Sequence, residues 1–184
     1  MKKFLIGIVV VVILIVLYGF TAYNHLVGSR EKIDNQWAQV ETQYQRRFDL
    51  IPNLVESVKG VMKQEQAIFL ALAEARTRYS GAKSVDEKAE AATQVEGALS
   101  HLLVIVENYP QLKSSENVQT LMVQLEGTEN RISVERQRFN DAVREFNLQV
   151  KQVPSSIFAR MFGFSKRAYF EAAQGSENAP KVGF

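Results

Sequence analysis

The chain opens on an unbroken apolar run and then changes rhythm. Phe4 to Tyr23 is almost wholly apolar, rich in Val, Ile and Leu, and no charged side chain lies between Lys3 and Arg30 when His25 is neutral. A helix of that length rises about 30 Å, the thickness of a hydrocarbon core. Residues 1–23 are therefore expected to be a transmembrane anchor. Gly7 and Gly19 are tolerable in a membrane helix, and Tyr18 and Tyr23 fall near the far interface, where amphipathic rings prefer to sit. The competing reading is a cleaved signal peptide. That needs a shorter apolar run and a small-x-small cleavage site, and Phe20-Thr21-Ala22 offers a bulky residue instead.

Downstream, apolar residues recur at alternating gaps of three and four, the period of a helix. Ile33, Trp37, Val40 and Tyr44 mark a first segment; Leu26 and Tyr23 keep roughly its phase, which lets the anchor run into it without a break. Ile51, Val55, Val58, Met62, Phe69, Leu72 and Tyr79 mark a second, and Val85, Ala92, Val95, Leu99, Leu102 and Val106 a third. Val118, Leu121, Leu125, Ile132, Phe139, Ala142, Phe146, Val150 and Val153 mark the fourth. No segment alternates with period two, so no sheet is expected.

Boundary signals agree. Gly81 can take the left-handed conformation of a helix end, and Ser84-Val85-Asp86-Glu87 reads as a capping box. Pro110 closes the third run, Ser114 or Ser115 can cap the fourth with Glu116 in its first turn, and Pro154 ends it. Between the first two segments, Arg46-Arg47-Phe48-Asp49-Leu50-Ile51-Pro52 is expected to be a tight turn, with Asp49 capping and Pro52 in the first turn of the next helix. The alternative is one kinked helix, because the phase continues through Tyr44, Arg47 and Ile51. The expected fold is all-α: an N-terminal transmembrane helix followed by an antiparallel four-helix bundle over residues 24–153.

In an up-down-up-down order the fourth helix returns towards the bilayer. Residues 154–174 there form an aromatic and basic tail, in which Ile157, Phe158, Phe162 and Phe164 are interleaved with Arg160, Lys166 and Arg167. This composition suits a segment lying in a lipid interface. A tail packed onto the bundle's own end fits equally. Residues 175–184 read as a disordered end.

Charge and composition narrow the function. Of 22 basic and 20 acidic residues, Lys2 and Lys3 supply the whole excess, so the rest of the chain balances. A balanced domain lacks the electrostatic footprint of a nucleic-acid binder. There is no cysteine, which excludes disulfides, zinc–thiolate sites and thiol nucleophiles. A di-iron bundle needs Glu-x-x-His on two helices, but Ala22 and Ala98 stand three residues before His25 and His101, the only histidines. His25 reads as an interfacial residue and His101 as a surface one. Neither a Gly-rich phosphate loop nor a nucleophile elbow occurs. Glu126 and Glu129 share a helix face and could pair for acid–base work, but a polar layer fixing helix register is the favoured reading. Glu65, Arg76 and Glu135 fall at core positions and are expected to pair in that layer or face solvent, since an unpaired buried charge is very costly. Arg46 and Arg47 could hold a headgroup phosphate; satisfying helix-end carbonyls and pairing with Asp49 is favoured.

Several blocks resemble the LemA family. Tyr23-Asn24, Arg46-Arg47 with Asp49-Leu50-Ile51-Pro52-Asn53-Leu54-Val55, and Val58-Lys59-Gly60 are similar to its first block. Glu107-Asn108-Tyr109-Pro110-Gln111-Leu112-Lys113, Leu125-Glu126-Gly127-Thr128-Glu129-Asn130-Arg131-Ile132, Arg138-Phe139-Asn140 and Phe146-Asn147 resemble the later ones. Pro154, Gly163-Phe164 and Tyr169-Phe170-Glu171 resemble its tail. The resemblance implies a bacterial protein with one N-terminal transmembrane helix and a helical soluble domain. It implies no catalytic residue, and one relative is associated with the membranes of magnetic organelles.

The expected function is a non-enzymatic interaction or scaffold module at the bacterial cytoplasmic membrane, without cofactor or small-molecule substrate. Its expected partners are the lipid bilayer and either further copies of itself or other membrane proteins. The alternative is a membrane-remodelling or lipid-binding protein acting through the tail, and an enzyme using Glu126 and Glu129 stands third. Lys2 and Lys3 place the N-terminus in the cytoplasm and the bundle outside. Protease added to spheroplasts should therefore digest the bundle; a fully shielded bundle would reverse the orientation.

Overall fold

The apolar run and the first amphipathic segment are one helix. In the computed structural model, which describes residues 2–62 and 64–170 and only the backbone of Asp86, α1 spans Lys2–Lys59 without interruption. It is followed by α2 (Gln66–Gly81), α3 (Val85–Glu107), the short α4 (Pro110–Lys113), α5 (Glu116–Lys151) and α6 (Ser155–Met161). Among the described residues there is no strand. Residues 171–174 of the expected tail and the expected disordered end 175–184 lie outside the described residues.

The turn expected at residues 46–52 is absent. Tyr44, Arg47, Phe48, Ile51, Leu54 and Val58 are all buried, so the helical face continues through the segment. Asp49 accepts a hydrogen bond from Gln45 one turn earlier, 2.9 Å, as a mid-helix side chain does rather than a cap. Pro52 lies inside α1 and is exposed, and its missing N–H removes one helical bond. The reversal comes instead after Lys59, through Gly60, and α2 begins only at Gln66. Residues 51–59, expected in the second helix, thus belong to the first.

The chain forms two compact units. One contains residues 39–136 with Phe170 among the described residues. Its bundle is made by the second part of α1, by α2 and α3, and by the first part of α5. Leu54, Val58, Met62, Leu72, Ala92, Val95, Leu102, Val106, Val118 and Ile132 are at most 1% exposed and form its core. Fully burying the Val, Leu, Ile and Met side chains among them stabilises by roughly 1.5–3 kcal/mol each before chain entropy is counted. Tyr79 packs edge-on against Phe48, ring centroids 4.6 Å apart, and joins α2 to α1. The Ser84–Glu87 capping box forms as expected, with the Glu87 amide donating to Ser84 Oγ and the Ser84 amide to Glu87 Oε2. The Lys83 and Ser84 amides, both donating to Glu87 Oε2, hold the Glu87 carboxyl below its ordinary range. Gly81 does not turn left-handed: it is the last residue of α2, and extended Ala82 closes the helix by donating to the Arg78 and Tyr79 carbonyls. Pro110 starts α4, and α5 begins at Glu116 directly after Ser115.

The other unit contains residues 2–38 and 137–169 as described. Here α1 and α5 run antiparallel. Trp37 meets Phe139 edge-on at 5.6 Å, Lys32 pairs with Glu145 at 2.7 Å, and Ser29 bonds Gln149. The Lys32 ammonium lowers the Glu145 carboxyl below its ordinary range. The apolar run is bare: every large side chain from Phe4 to Leu17 is exposed, Ile8 least at 46%. Its most apolar window is only 6% buried, so it is no core helix, and it is long and apolar enough to cross a membrane. Val153, expected on the core face of the fourth helix, lies beyond α5 and is 80% exposed.

A proline in a helix interior costs about 3 kcal/mol, whereas one at a first turn costs almost nothing. Pro52→Ala should therefore raise the melting temperature of the detergent-solubilised protein. An unchanged melting temperature would support a first-turn position.

Candidate functional site

Two constellations stand out, and each belongs to one unit. In the bundle, Arg47 is 1% exposed despite its permanent charge. Its guanidinium pairs with Glu129 on α5 and lies 3.5 Å from Glu96 on α3, and Nε lies 3.4 Å from the Thr128 hydroxyl. Arg136 also pairs with Glu96 and bonds the Tyr44 hydroxyl, which donates to Glu96 at 3.1 Å. The Arg136 guanidinium further sits 4.3 Å from the centroid of the Phe170 ring. Two arginines therefore face two carboxylates across three helices, and Tyr44 and Thr128 complete the layer.

Burial pushes the Glu96 carboxyl above its ordinary range; Arg136 and Arg47 pull it down, while Glu129 pushes it further up. Burial, reinforced by Glu96, raises the Tyr44 phenol well above its normal value, so it remains a donor. Tyr79 is raised by burial and by Glu41. Among the described residues, no three His, Asp or Glu side chains cluster as a metal site.

Of the charged residues expected in a polar layer, Glu129 takes its place opposite Arg47. Glu65 is half-buried in the turn before α2, and Arg76 is half-buried on α2. Glu126 is exposed, and Glu135 is half-buried with partners of its own. Arg47 neither satisfies helix-end carbonyls nor pairs with Asp49, because no helix ends there. Its place was legible in the phase it shares with Tyr44 and Ile51. Glu96 and Arg136 follow core-facing Val95 and Glu135 by one position and gave no such signal. His101 is exposed; His25 is also exposed, beside the end of the span.

Beside the layer, α1 and α2 leave a largely apolar groove of about 570 Å³, lined by Ile51, Pro52, Val55, Phe69, Arg76 and Ser80 among others. Leu70 nearby on α2 is 63% exposed.

In the other unit, the tail folds onto the end of the span. The Phe158 ring packs against Gly19 so closely that a Cβ there would lie 2.8 Å from its edge, and Phe158 also meets Tyr18 at 5.5 Å. Phe162 and Phe164 meet Tyr23 at 5.0 and 6.1 Å. Gly163, with φ +75°, ends α6: its amide donates to Arg160 O and the Phe164 amide to Ala159 O, the two bonds of a Schellman closure. Beyond it, the Asn147 side chain bonds both the amide and the carbonyl of Arg167, each at 2.9 Å, and Arg167 pairs with Asp34. Ile157, Arg160 and Lys166 are exposed.

Removing Arg47 takes a counter-charge from half-exposed Glu129 and one of two from Glu96, and leaving a partly buried group short of its partner costs about 1–3 kcal/mol. Arg47→Met should lose that amount in denaturant melts at neutral pH. A carboxyl whose folded pKa is raised binds its proton more tightly when folded, so its contribution to stability falls as pH rises through that pKa. Arg47 is one of the groups holding Glu96 down, so the deficit should shrink towards acid pH. A loss below 1 kcal/mol, on the order of a surface pair, would contradict the layer.

The profile of the LemA family matches residues 36–184. The chain is 25% identical over 175 residues to magnetosome protein MamQ 2 of Paramagnetospirillum magneticum, covering 81% of this chain and 64% of the relative. It is equally similar to MamQ 1 of that organism, and 25% identical over 174 residues to MamQ of Magnetospirillum gryphiswaldense. The chain thus spans 64% of the length of these curated relatives. With its profile matched across the whole bundle and the tail that follows, the chain belongs to the LemA family.

Proposed function

We propose that the protein is a non-enzymatic interaction module held at the cytoplasmic membrane of a bacterium by a single span, with its N-terminus in the cytoplasm. The observation that carries this reading is α1 itself: one helix, Lys2–Lys59, is bare and apolar at its start and core-packed at its end. A helix satisfies its own backbone in hydrocarbon, and its all-round apolar surface has no stable place in water. The charged layer supports a binding rather than a catalytic role, since its arginines and carboxylates neutralise one another and Arg47 is sealed from solvent. The α1–α2 groove, with Arg76 on its wall and Leu70 near it, is the surface on which a partner protein or a second copy would act. The matched relatives are magnetosome proteins, and what this chain could share with them is limited to the part of their length it matches.

A second reading, lipid binding by the tail, gains support from the contacts of Phe158, Phe162 and Phe164 with the end of the span.

Photoreactive residues at Thr77 or Leu70 in intact membranes should give discrete crosslinks that an Arg76→Glu exchange weakens. The same probe at Val123, exposed on α5, is the reference. Identical products at all positions would remove the groove from the account.

A further inference from the structure

The end of the span carries an open apolar crevice of about 480 Å³. Its walls include Ile15, Gly19 and Phe20 of α1, and Phe158, Met161 and Phe162 of the tail. Apolar side chains on and just before α6 are exposed as well. Ile157 and Met161, one turn apart, are 61% and 64% exposed, and Val153 just before the helix is 80% exposed. In water, a short helix that exposes so much apolar surface would be unfavourable. Here it lies against residues that lipid surrounds if the span is a span. Gly19 is four residues inside Tyr23, about 6 Å along the helix axis, so Phe158, in contact with Gly19 and Tyr18, sits deeper than Tyr23.

The backbone is prepared for that place. Hydrocarbon offers no partner for a free N–H or C=O, so a segment lying in it must satisfy its ends internally. The Ser156 amide donates to Gln152 O, Ser155 Oγ bonds the Gln149 carbonyl, and the Schellman closure at Gly163 takes up the Ala159 and Arg160 carbonyls. The exposed cations Arg160 and Lys166 have stems long enough to reach outward to headgroup phosphates while α6 stays in the acyl region.

We propose that α6 is embedded in the leaflet on the bundle side, clamped to the span by Phe158 on Gly19, with Ile157 and Met161 against lipid acyl chains and the crevice filled by one of them. The proposal rests on the reading of residues 4–23 as a span and adds a second, in-plane membrane element to it. The occupant is lipid rather than a second copy because the crevice walls on α1 belong to the run that is apolar on every side.

The chain has no cysteine, so a single introduced one carries a nitrobenzoxadiazole dye at a known place. The full chain would be reconstituted in phosphatidylcholine–phosphatidylglycerol vesicles containing acyl-chain doxyl lipid. With dye at Ile157→Cys or Met161→Cys, quenching should approach that at Leu14→Cys in the span and exceed that at Val123→Cys on α5 by about threefold or more. Gly19→Leu, which drives a side chain into the Phe158 ring, should lower quenching at residue 157 and leave residue 14 unchanged. Quenching at 157 and 161 no greater than at 123, with 14 still quenched, would overturn the proposal and leave the span intact. Dye at 157 shielded from aqueous iodide but untouched by doxyl lipid would mean that a protein surface covers α6, which also overturns it. Loss of quenching at 14 as well would bring down the span and the proposal together.

Discussion

A backbone in hydrocarbon has to satisfy its own hydrogen bonds, and the rest of this molecule follows from how the chain meets that demand. Among the described residues, 4–17 leave every large side chain exposed, and a single helix satisfies their backbone from within. The same helix does not stop where the apolar run stops. It continues to Lys59, exchanging an all-round apolar surface for one buried stripe. One helix therefore contributes residues to both units. Within the unit that holds the apolar run, α5 returns antiparallel to α1, and the segment after it finishes against Tyr18, Gly19 and Tyr23 of that run's end.

Inside the bundle the deciding interaction is of another kind. Burying Arg47 is expensive in desolvation, and Coulombic attraction offsets that only with good geometry and a full set of donors and acceptors. Glu129, Glu96 and Thr128 come from two other helices, so the cluster is complete in one register only. An apolar layer of the same volume would hold the helices together with less discrimination among registers. The layer is thus better understood as specifying the packing than as strengthening it.

Much of this could be read from the chain beforehand. The apolar run, the helical stripes and the Ser84–Glu87 box rest on local rules, and they appear where those rules place them. The reversal between the first two helices was misplaced because Asp49 and Pro52 are good boundary residues in isolation. Tertiary burial of Tyr44, Arg47, Phe48 and Ile51 on one face outweighed them. Gly81 failed similarly: glycine permits a left-handed end without requiring one, whereas at Gly163 the closure uses it. The charged layer was half visible. Arg47 lay in phase with the core, but Glu96 and Arg136 sit one residue off the stripe, and long side chains reach inward from flanking positions that periodicity marks as surface. The contact of Phe158 with Gly19 joins residues far apart in sequence, and no local pattern announces it.

The central claim is that one continuous helix both crosses the bilayer and enters the bundle. Site-directed spin labels placed singly at successive positions from residue 14 to residue 34, in the reconstituted full chain, would test it most directly. The account predicts oxygen accessibility that is high around residue 14, falls past Tyr23, and oscillates with a helical period without interruption to Asp34. A break in that period near residues 20–26, or water accessibility throughout residues 14–20, would contradict it.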